Sequence, residues 1–466
     1  MDFDIMLEIK DKERSALKAI KPLKNEENMN KLINHPFIWL VLIIGLATLV
    51  YSQISFIEHP VAEYYNNPWS AFAIDMDYDN DIDVVGSGRF GNSITWFEND
   101  GNFSFQPHDI STSSYYAMVV HAIDIDNDND IDVLCASQNN GVELWENNGN
   151  QEFTRHIIAD WQYASYISVG DVDSDQDMDV LVCCCEGGMN RIGWIENTGN
   201  LNFTPHIVIS DWDHANSICA ANLDLDQDTD LIGTASYAGE VAWFENDGNQ
   251  SFTKHNIFET WARPSCAETA DIDSDDDIDI VATVCYLNQV LWFENDGSQT
   301  FAPRVIDSNF TRPHQVRTAD IDNDDDIDVI ATAIDNDQIA WWENGEGNPV
   351  QWTKHVITDN FNGATGIHIF DIDRDNDLDV LGAAQFGNKI SWWENVPAGI
   401  EEKSITQLKQ PNPIPTILSN QLKLEENKNW KFYDIIGRNI STNNIKPGVY
   451  LLVIDGIIAQ KVIKIK

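Results

Sequence analysis

The sequence predicts an all-β protein, a seven-bladed β-propeller followed by a small C-terminal β-sandwich. Three observations predict this fold. A unit of roughly 50 residues recurs seven times along the 466-residue chain. Each unit contains four short strand patterns separated by turn residues, which is the content of one propeller blade. The last unit lacks its fourth strand, and a segment of that pattern stands before the first unit.

The composition is acidic but rich in core-forming residues. The 76 acidic side chains against 28 basic ones give a net charge of −48, which argues against nucleic acid or an anionic membrane as a partner and favours cations. A hydrophobic content of 43%, with 16 Trp and 20 Phe, argues against a disordered acidic chain. Seven cysteines, three of them adjacent, form no disulfide framework, and we expect most to be small buried residues.

Residues 1–52 are predicted to be a signal-peptide region. The apolar run Phe37 to Tyr51 has the length of a signal-peptide core and is short for a membrane span. A start at Met29 gives an ordinary signal peptide cleaved near Ser52 or Gln53. If the first 28 residues are genuine, an N-terminal membrane anchor is the alternative.

Residues 53–398 are predicted to form the propeller. After each acidic segment come a strand of small residues, an aromatic strand such as Ile94 to Asn99, and a strand of the form aromatic-x-x-His-x-aliphatic. The seventh unit stops at Asn395, and Phe56 to Val61 supplies the missing pattern. We therefore expect strand 54–61 to close blade seven, which removes an exposed sheet edge. The fourth-strand histidines are predicted to be structural hydrogen-bonding groups: His59, His108, His156, His206, His255 and His355.

Each unit also carries a nine-residue acidic loop between its first and second strands. Acidic residues, or one Asn, stand at positions 1, 3, 5, 7 and 9. Carboxylates at 1, 3, 5 and 9 with the backbone carbonyl at 7 would supply the hard oxygen ligands that Ca²⁺ prefers, so the sequence predicts up to seven calcium ions. The alternative is a solvated acidic turn. The candidate ligands are Asp75, Asp77, Asp79, Asp81 and Asp83; Asp124, Asp126, Asp128, Asp130 and Asp132; Asp171, Asp173, Asp175, Asp177 and Asp179; Asn222, Asp224, Asp226, Asp228 and Asp230; Asp271, Asp273, Asp275, Asp277 and Asp279; Asp320, Asp322, Asp324, Asp326 and Asp328; and Asp371, Asp373, Asp375, Asp377 and Asp379.

These loops and blades, over residues 54–395, resemble FG-GAP/VCBS repeats, the calcium-bearing propeller units also found in integrin α-chains. In that family position 6 is normally Gly, whereas here it is Asn, Asp or Gln. Gln adopts a left-handed backbone less readily than Asn or Asp, which puts the sites of loops three and four in question. Loop four also has Asn222 at position 1 and Thr229 at position 8, so we expect it to be the weakest site.

The C-terminal segment lacks the repeat. After a linker at 399–409, residues 410–466 begin Gln410-Pro411-Asn412-Pro413, continue with Trp430 to Ile440 and Pro447 to Ile454, and end in a basic stretch. This segment resembles the type A sorting domain of the Bacteroidetes type IX secretion system, although Gln410 stands where Tyr is usual. The resemblance implies recognition by the type IX secretion machinery, removal of the tail, and release from the cell or attachment to its outer surface.

A ligand site is expected on the face opposite the acidic loops, where the inter-blade loops are aromatic and basic. Such a ring could stack on sugars and hold acidic groups, although capping of the blade cores is an equally simple explanation. The candidate residues are Tyr65, Tyr116, Tyr163, Trp212, His214, Trp261, Arg263, Arg312 and His314.

Three functions are compatible with this sequence. The first is a non-enzymatic extracellular binding or adhesion module for a polysaccharide or a surface protein, because no nucleophile elbow, zinc motif or phosphate loop is found. The second is a polysaccharide lyase or related sugar-modifying enzyme that uses His214, Arg263, Arg312 and His314. The third is a structural surface-layer role without a soluble ligand.

Overall fold

The computed structural model describes residues 54–185, 190–345 and 349–397, and five strands between 417 and 464. The predicted signal region and linker lie outside the described residues. Contacts divide the chain into one unit up to Gly399 and a second from Ile400. No helix within the described parts is long and apolar enough to cross a bilayer.

The first unit is a β-propeller with seven four-stranded antiparallel sheets, so the predicted fold class is confirmed for this part of the chain. Each of blades one to six is formed by four consecutive strands. Blade one contains β2 (Pro68–Ile74), β3 (Asp83–Gly88), β4 (Ser93–Asn99) and β5 (Phe105–Ser111). Blade two contains β6 (Ala117–Ile123), β7 (Asp132–Ser137), β8 (Gly141–Asn147) and β9 (Phe153–Ala159). Blade three contains β10 (Ala164–Gly170), β11 (Asp179–Cys184), β12 (Arg191–Asn197) and β13 (Phe203–Ser210).

The next three blades follow the same plan. Blade four contains β14 (Ala215–Ala221), β15 (Asp230–Ala235), β16 (Glu240–Asn246) and β17 (Phe252–Glu259). Blade five contains β18 (Pro264–Ala270), β19 (Asp279–Val284), β20 (Gln289–Asn295) and β21 (Phe301–Asp307), with a 3₁₀ turn at Cys285–Leu287. Blade six contains β22 (Pro313–Ala319), β23 (Asp328–Ala333), β24 (Gln338–Gly345) and β25 (Gln351–Thr358).

Blade seven joins the two ends of the propeller. It contains β26 (Ala364–Phe370), β27 (Asp379–Ala384) and β28 (Lys389–Pro397), and its fourth strand is β1 (Ile54–Glu63). β1 runs antiparallel to β28, with Phe56 opposite Asn395 and His59 opposite Trp392. The segment that the sequence assigns to ring closure therefore occupies that place.

The core lies within and between the blades. Every residue of every second strand is buried. Aromatic residues of the third strands pack against the next blade, as Trp96 of blade one does in a cluster with Val133 and Cys135 of blade two. At the closing seam, Phe97 of blade one shares a cluster with Trp392 of blade seven. The aromatic strands are thus the inter-blade packing surface, and no disulfide forms among the described cysteines.

The second unit contains five strands: β29 (Ile417–Leu418), β30 (Trp430–Asp434), β31 (Asn439–Ile440), β32 (Gly448–Ile454) and β33 (Ile457–Lys464). They form one sheet in the order β29-β33-β32-β30-β31. A second sheet, which a sandwich requires, is not shown by these strands, so the predicted β-sandwich stays a prediction.

Candidate metal centres and the opposite face

The seven acidic loops share one backbone shape. Position 6 has a left-handed backbone in every loop, with φ from 71° at Asn129 to 84° at Gln227. Position 4 is left-handed as well, which the sequence alone did not predict: Tyr78, Asn127, Ser174, Leu225, Ser274, Asn323 and Arg374. Two left-handed residues within three consecutive positions turn the chain sharply, so that its carboxylates converge.

The convergence brings three carboxylates together in at least five loops. One ligand oxygen from each lies within 4.8 Å of the others. Positions 1, 3 and 9 form the cluster in loops two, three and five, as with Asp271, Asp273 and Asp279, and positions 1, 3 and 5 form it in loops one and six, as with Asp75, Asp77 and Asp79. A set of carboxylate oxygens at this spacing fits a hard divalent cation such as Ca²⁺.

Burial and then crowding raise the pKa of several of these carboxyls. Burial and then the neighbouring aspartates raise the pKa of Asp273 to about 6 and that of Asp322 to about 7. The same causes raise the pKa of Asp373 to about 6. A bound divalent cation would reverse this effect, because it favours the ionised form.

Backbone N–H groups of each loop also form hydrogen bonds with carboxylates of the same loop. In six of the seven loops the backbone N–H of position 6 donates to the position 1 carboxylate, as Asp276 does to Asp271 Oδ2 at 3.1 Å. The position 7 N–H donates to the position 5 carboxylate, as Asp277 does to Asp275 Oδ1. These bonds restrict the orientation of the carboxylates at positions 1 and 5.

Position 9 is a buried structural group as well as a candidate ligand. In all seven blades its carboxylate accepts two backbone N–H groups, one from position 2 and one from the Asn that ends the third strand. Burial raises the pKa of these carboxyls, to about 6 for Asp230 and to about 8 for Asp379, and the two hydrogen bonds lower it in part. The recurrent Asn after each aromatic strand was the sequence signal for this contact.

The position 7 carboxylate contacts the neighbouring hairpin in four of the blades. It lies against a left-handed Gly of the hairpin between the third and fourth strands, where a Cβ would fall 2.5–2.6 Å from it, as Asp81 does at Gly101. The acidic loops and these hairpins therefore share one end of the propeller, which we name the acidic face. A ligand role for position 7 would rest on its backbone carbonyl.

Two loops differ from the others. Loop four has Asn222 at position 1, and its left-handed positions 4 and 6 are Leu225 and Gln227, residue types that adopt this backbone less readily than Asn or Asp. The Oδ1 atom of Asn222 is buried without a hydrogen-bond partner, as is Asp75 Oδ1 of loop one. In loop one, the Arg374 guanidinium of loop seven donates to Asp75 Oδ2 at 2.8 Å. A protein cation thus already contacts one of the loop-one candidate ligands.

The fourth-strand histidines lie on the outer strands of the blades. Each ring nitrogen Nε2 is 2.6–2.8 Å from a Glu of the third strand, and Arg304 with Glu294 replaces the pair in blade five. Five of the six rings also stack on a Trp at 4.5–4.7 Å. Their predicted structural hydrogen bonding is confirmed.

The opposite face is formed by the inter-blade loops and the turns between second and third strands. Two candidate ligand residues are core groups there: Trp212 is only 3% exposed and packs on Phe244, and the Tyr65 hydroxyl donates to the Gly86 carbonyl inside blade one. These two side chains cap blade cores and offer no face for stacking. Trp261 is 79% exposed, and Tyr116 is 38% exposed.

The remaining candidates surround the central channel. His214 and His314 line one cavity of about 170 Å³ at the channel mouth. His214, Arg263 and Arg312 line an adjoining cleft of about 370 Å³. Tyr163 is half-buried, and its backbone N–H donates to Gln138 in the rim. Tyr237 and Tyr286, which line the cleft, were not predicted because they lie in the turns of blades four and five rather than in inter-blade loops.

Comparisons with known proteins agree with this geometry. A model of the FG-GAP-like repeat matches residues 75–135, 124–182, 222–282 and 271–331, and each match starts at position 1 of an acidic loop. No curated protein sequence matches the chain.

Several solved structures share the fold. Virginiamycin B lyase from Staphylococcus aureus is 16% identical, with a TM-score of 0.54 over 74% of this chain and 100% of that one. A streptogramin B lyase is 13% identical, with a TM-score of 0.53 over 74% and 99%. BBS1N in complex with ARL6DN is 9% identical, with a TM-score of 0.52 over 73% and 96%. At these identities the similarity concerns the fold alone. The chain therefore contains FG-GAP-like repeats arranged as a seven-bladed β-propeller.

Proposed function

We propose that this protein is a calcium-stabilised extracellular propeller that acts as a non-enzymatic binding or adhesion module. The observation that supports it is the recurrence of three converging carboxylates in at least five acidic loops on one face. A single acidic turn carries little weight, because exposed carboxylates are common. The same cluster repeated at the same place in successive blades favours a common ligand, and a divalent cation fits it best.

Calcium would act as a clamp within each blade. Position 9 belongs both to the acidic cluster and to the hydrogen bonds that hold the end of the third strand, as Asp279 does with Asn295. A cation bound to the loop would therefore stiffen the blade, and its loss would leave mutually repelling carboxylates.

Thermal unfolding of the purified protein tests this role. We expect the melting temperature to fall sharply after chelation and to return with Ca²⁺ but not with Mg²⁺, because binding to the folded state alone stabilises it. Mg²⁺ is the control because it demands octahedral geometry and dehydrates reluctantly. An unchanged melting temperature after chelation would mean that the loops are solvated turns.

Export is the second part of the proposal. The resemblance of residues 410–466 to a type IX sorting domain supports delivery to the outer surface or the medium. Deleting residues 410–466 should retain the protein inside the cell envelope. Unchanged surface delivery of the deleted form would contradict this part alone.

The ligand would bind on the opposite face. Exposed aromatic rings and basic side chains surround the channel mouth there, in a chain whose net charge is otherwise strongly negative. These groups suit a polysaccharide. A panel of immobilised glycans would test this, and failure of all glycans would favour the alternatives of a surface-protein partner or a surface-layer role.

A sugar-cleaving activity is the second candidate, favoured by the two histidines at the channel mouth. Burial lowers the pKa of His314 to about 4, so its ring is neutral at pH 7, and its Nδ1 lies 3.1 Å from the Thr365 carbonyl. A neutral imidazole with one nitrogen so engaged can accept a proton at the other. Appearance of unsaturated-product absorbance with acidic polysaccharides would favour this activity over pure binding.

A further inference from the structure

Seven equivalent residues on the opposite face share an unusual backbone. Each directly precedes the first strand of its blade, and each is left-handed, with φ between 52° and 72°: Asn67, Tyr116, Tyr163, His214, Arg263, Arg312 and Gly363. Asn67 of blade one and Gly363 of blade seven are residue types that suit this conformation. In the other five blades a large side chain occupies a position that the backbone disfavours.

The cost is greatest at the two arginines. Arg263 and Arg312 each precede a proline, which restricts the residue before it further. Packing does not explain these side chains, because Arg312 is exposed and Arg263 is half-exposed. Residues held in disfavoured conformations at a surface concentrate at ligand sites.

Arg263 is held by rings rather than by a carboxylate. Its guanidinium carbon lies 4.5 Å from the Tyr237 ring centre and 4.6 Å from that of Tyr286. Among the described residues it forms no ion pair, whereas Arg304, Arg312 and Arg317 each do. In a chain of net charge −48, a cation clamped between two aromatic rings keeps its N–H edge available for an anion.

The backbone fixes this clamp in place. The Tyr286 N–H donates to the Ala262 carbonyl at 2.8 Å, and the Cys285 N–H donates to the Arg263 carbonyl at 3.0 Å. On the other side, the Tyr237 ring stacks on His214 at 4.3 Å. The clamp is therefore built from blades four and five before a ligand arrives.

The surroundings favour a sugar as the carrier of the anionic group. Tyr237 and Tyr286 are 55% and 50% exposed, and Trp261, two residues before Arg263, is 79% exposed. Exposed rings offer stacking surfaces to sugar rings. Asp335 lies in the same cleft, but its negative charge is offset by the Arg312 guanidinium, which lies 3.1 Å from Asp335 Oδ1.

We propose that the cleft lined by His214, Tyr237, Arg263, Tyr286 and Arg312 binds an anionic saccharide unit, with Arg263 contacting its carboxylate or sulfate group. This inference rests on the proposed glycan-binding function and specifies its site and ligand class.

The test uses the calcium-saturated protein and three probes: a polyuronate, a sulfated galactan and a neutral galactan, measured by calorimetry. The wild type should bind an anionic probe and not the neutral one, and the two anionic probes separate carboxylate from sulfate. Arg263→Asn should weaken that binding at least tenfold. Its melting temperature without glycan should be unchanged or higher, because Asn accepts a left-handed backbone.

Two variants are controls. Arg304→Gln removes the same charge from the outer strand of blade five and should bind as the wild type does. Arg263→Lys keeps the charge without the planar stack and should retain part of the affinity. Equal anionic binding by Arg263→Asn, or equal binding of the neutral probe, would overturn the inference and leave the glycan-binding function standing. If the wild type binds no glycan at all, both this inference and the proposed glycan-binding function are overturned. If it binds only an acidic protein, a protein partner replaces the glycan in both.

Discussion

The Asn295 backbone N–H donates to Asp279 Oδ1 at 2.7 Å, and the equivalent bond recurs in all seven blades. The second carboxylate oxygen of Asp279 accepts the Ile272 N–H at 3.2 Å. One side chain therefore joins the start of the second strand to the start of its loop and to the end of the third strand. These two hydrogen bonds are protein–protein contacts, separate from any role of Asp279 as a metal ligand.

Asp279→Ala should consequently destabilise the protein even in the presence of chelator. Two buried N–H groups would lose their acceptor, and we expect a loss of about 3 kcal/mol in the free energy of unfolding. Chemical denaturation with chelator present measures it. Asp109→Ala removes an exposed carboxylate from an outer strand and should change little. Equal stability of the two variants would show that Asp279 acts only through a metal.

Loop four should be the weakest calcium site, and Asn222→Asp should strengthen it. The substitution supplies the position 1 carboxylate that the other loops have, and calcium affinity rises with ligand charge, so we expect roughly tenfold tighter binding at one site. Calorimetric titration with Ca²⁺ checks this. Asn139→Asp adds the same charge in a turn of the opposite face and should leave the titration unchanged. Identical titrations for both variants would contradict the ranking.

Arg374 should compete with calcium at loop one. Its 2.8 Å contact with Asp75 places a guanidinium on a candidate ligand, and the arginine is 44% exposed, so the pair contributes no more than about 1 kcal/mol. Arg374→Gln should tighten calcium binding at one site by less than about tenfold and slightly lower the melting temperature in chelator. Arg304→Gln is the matched charge control. Weaker calcium binding by Arg374→Gln would mean that the arginine orders the loop rather than competing.

Two histidines on first strands, His121 and His368, should make the protein sensitive to acid. Burial, then the Arg317 charge and His121, lower the pKa of His368 to about 3, and burial and Arg317 lower that of His121 to about 4. Both rings flank Phe72, and Arg317 of blade six pairs with Glu268 of the neighbouring blade five. Unfolded histidines bind protons below about pH 6.5, whereas these remain neutral when folded, so stability is lost as the pH falls from about 6.5 towards 4.

His368→Asn isolates this effect. The Asn oxygen can accept the Ala73 N–H that His368 Nδ1 accepts at 3.2 Å, but it does not titrate. The variant should lose less stability than the wild type between pH 6.5 and pH 4, as measured by denaturation at each pH. Taking the difference between the two proteins cancels the opposite contribution of the acidic loops, whose raised pKa values favour the folded state at low pH. Parallel pH profiles would refute the assignment.

Removing β1 should open the ring. Deletion of residues 54–63 exposes the edge of β28 and the closing cluster with Trp392. We expect a lower melting temperature and concentration-dependent association, because an unpaired edge strand pairs with other chains. Light scattering and thermal unfolding measure both. A monomeric deletion variant with an unchanged melting temperature would contradict the closure.

Much of the fold could be predicted from the repeat, but only part of the candidate site could. The loop positions, the fourth-strand histidines and the closing strand were each visible as a pattern within one unit. The burial of Trp212 and the left-handed backbone at Leu225 were not, because inter-blade loops differ in sequence and a left-handed Leu has no local signal. The cleft rings Tyr237 and Tyr286 were missed because they lie outside the repeated motif.

The sequence by itself determined the number of blades, their four strands, the acidic loops and the strand that closes the ring, because these depend on local periodicity within about 50 residues. Only the tertiary structure decided which distant side chains meet. Arg374 reaches Asp75 across the closing seam, and Arg263 is clamped by turns of two different blades. Such contacts depend on the angle at which one blade packs on the next, which hydrophobic burial across the whole ring sets and no single repeat encodes.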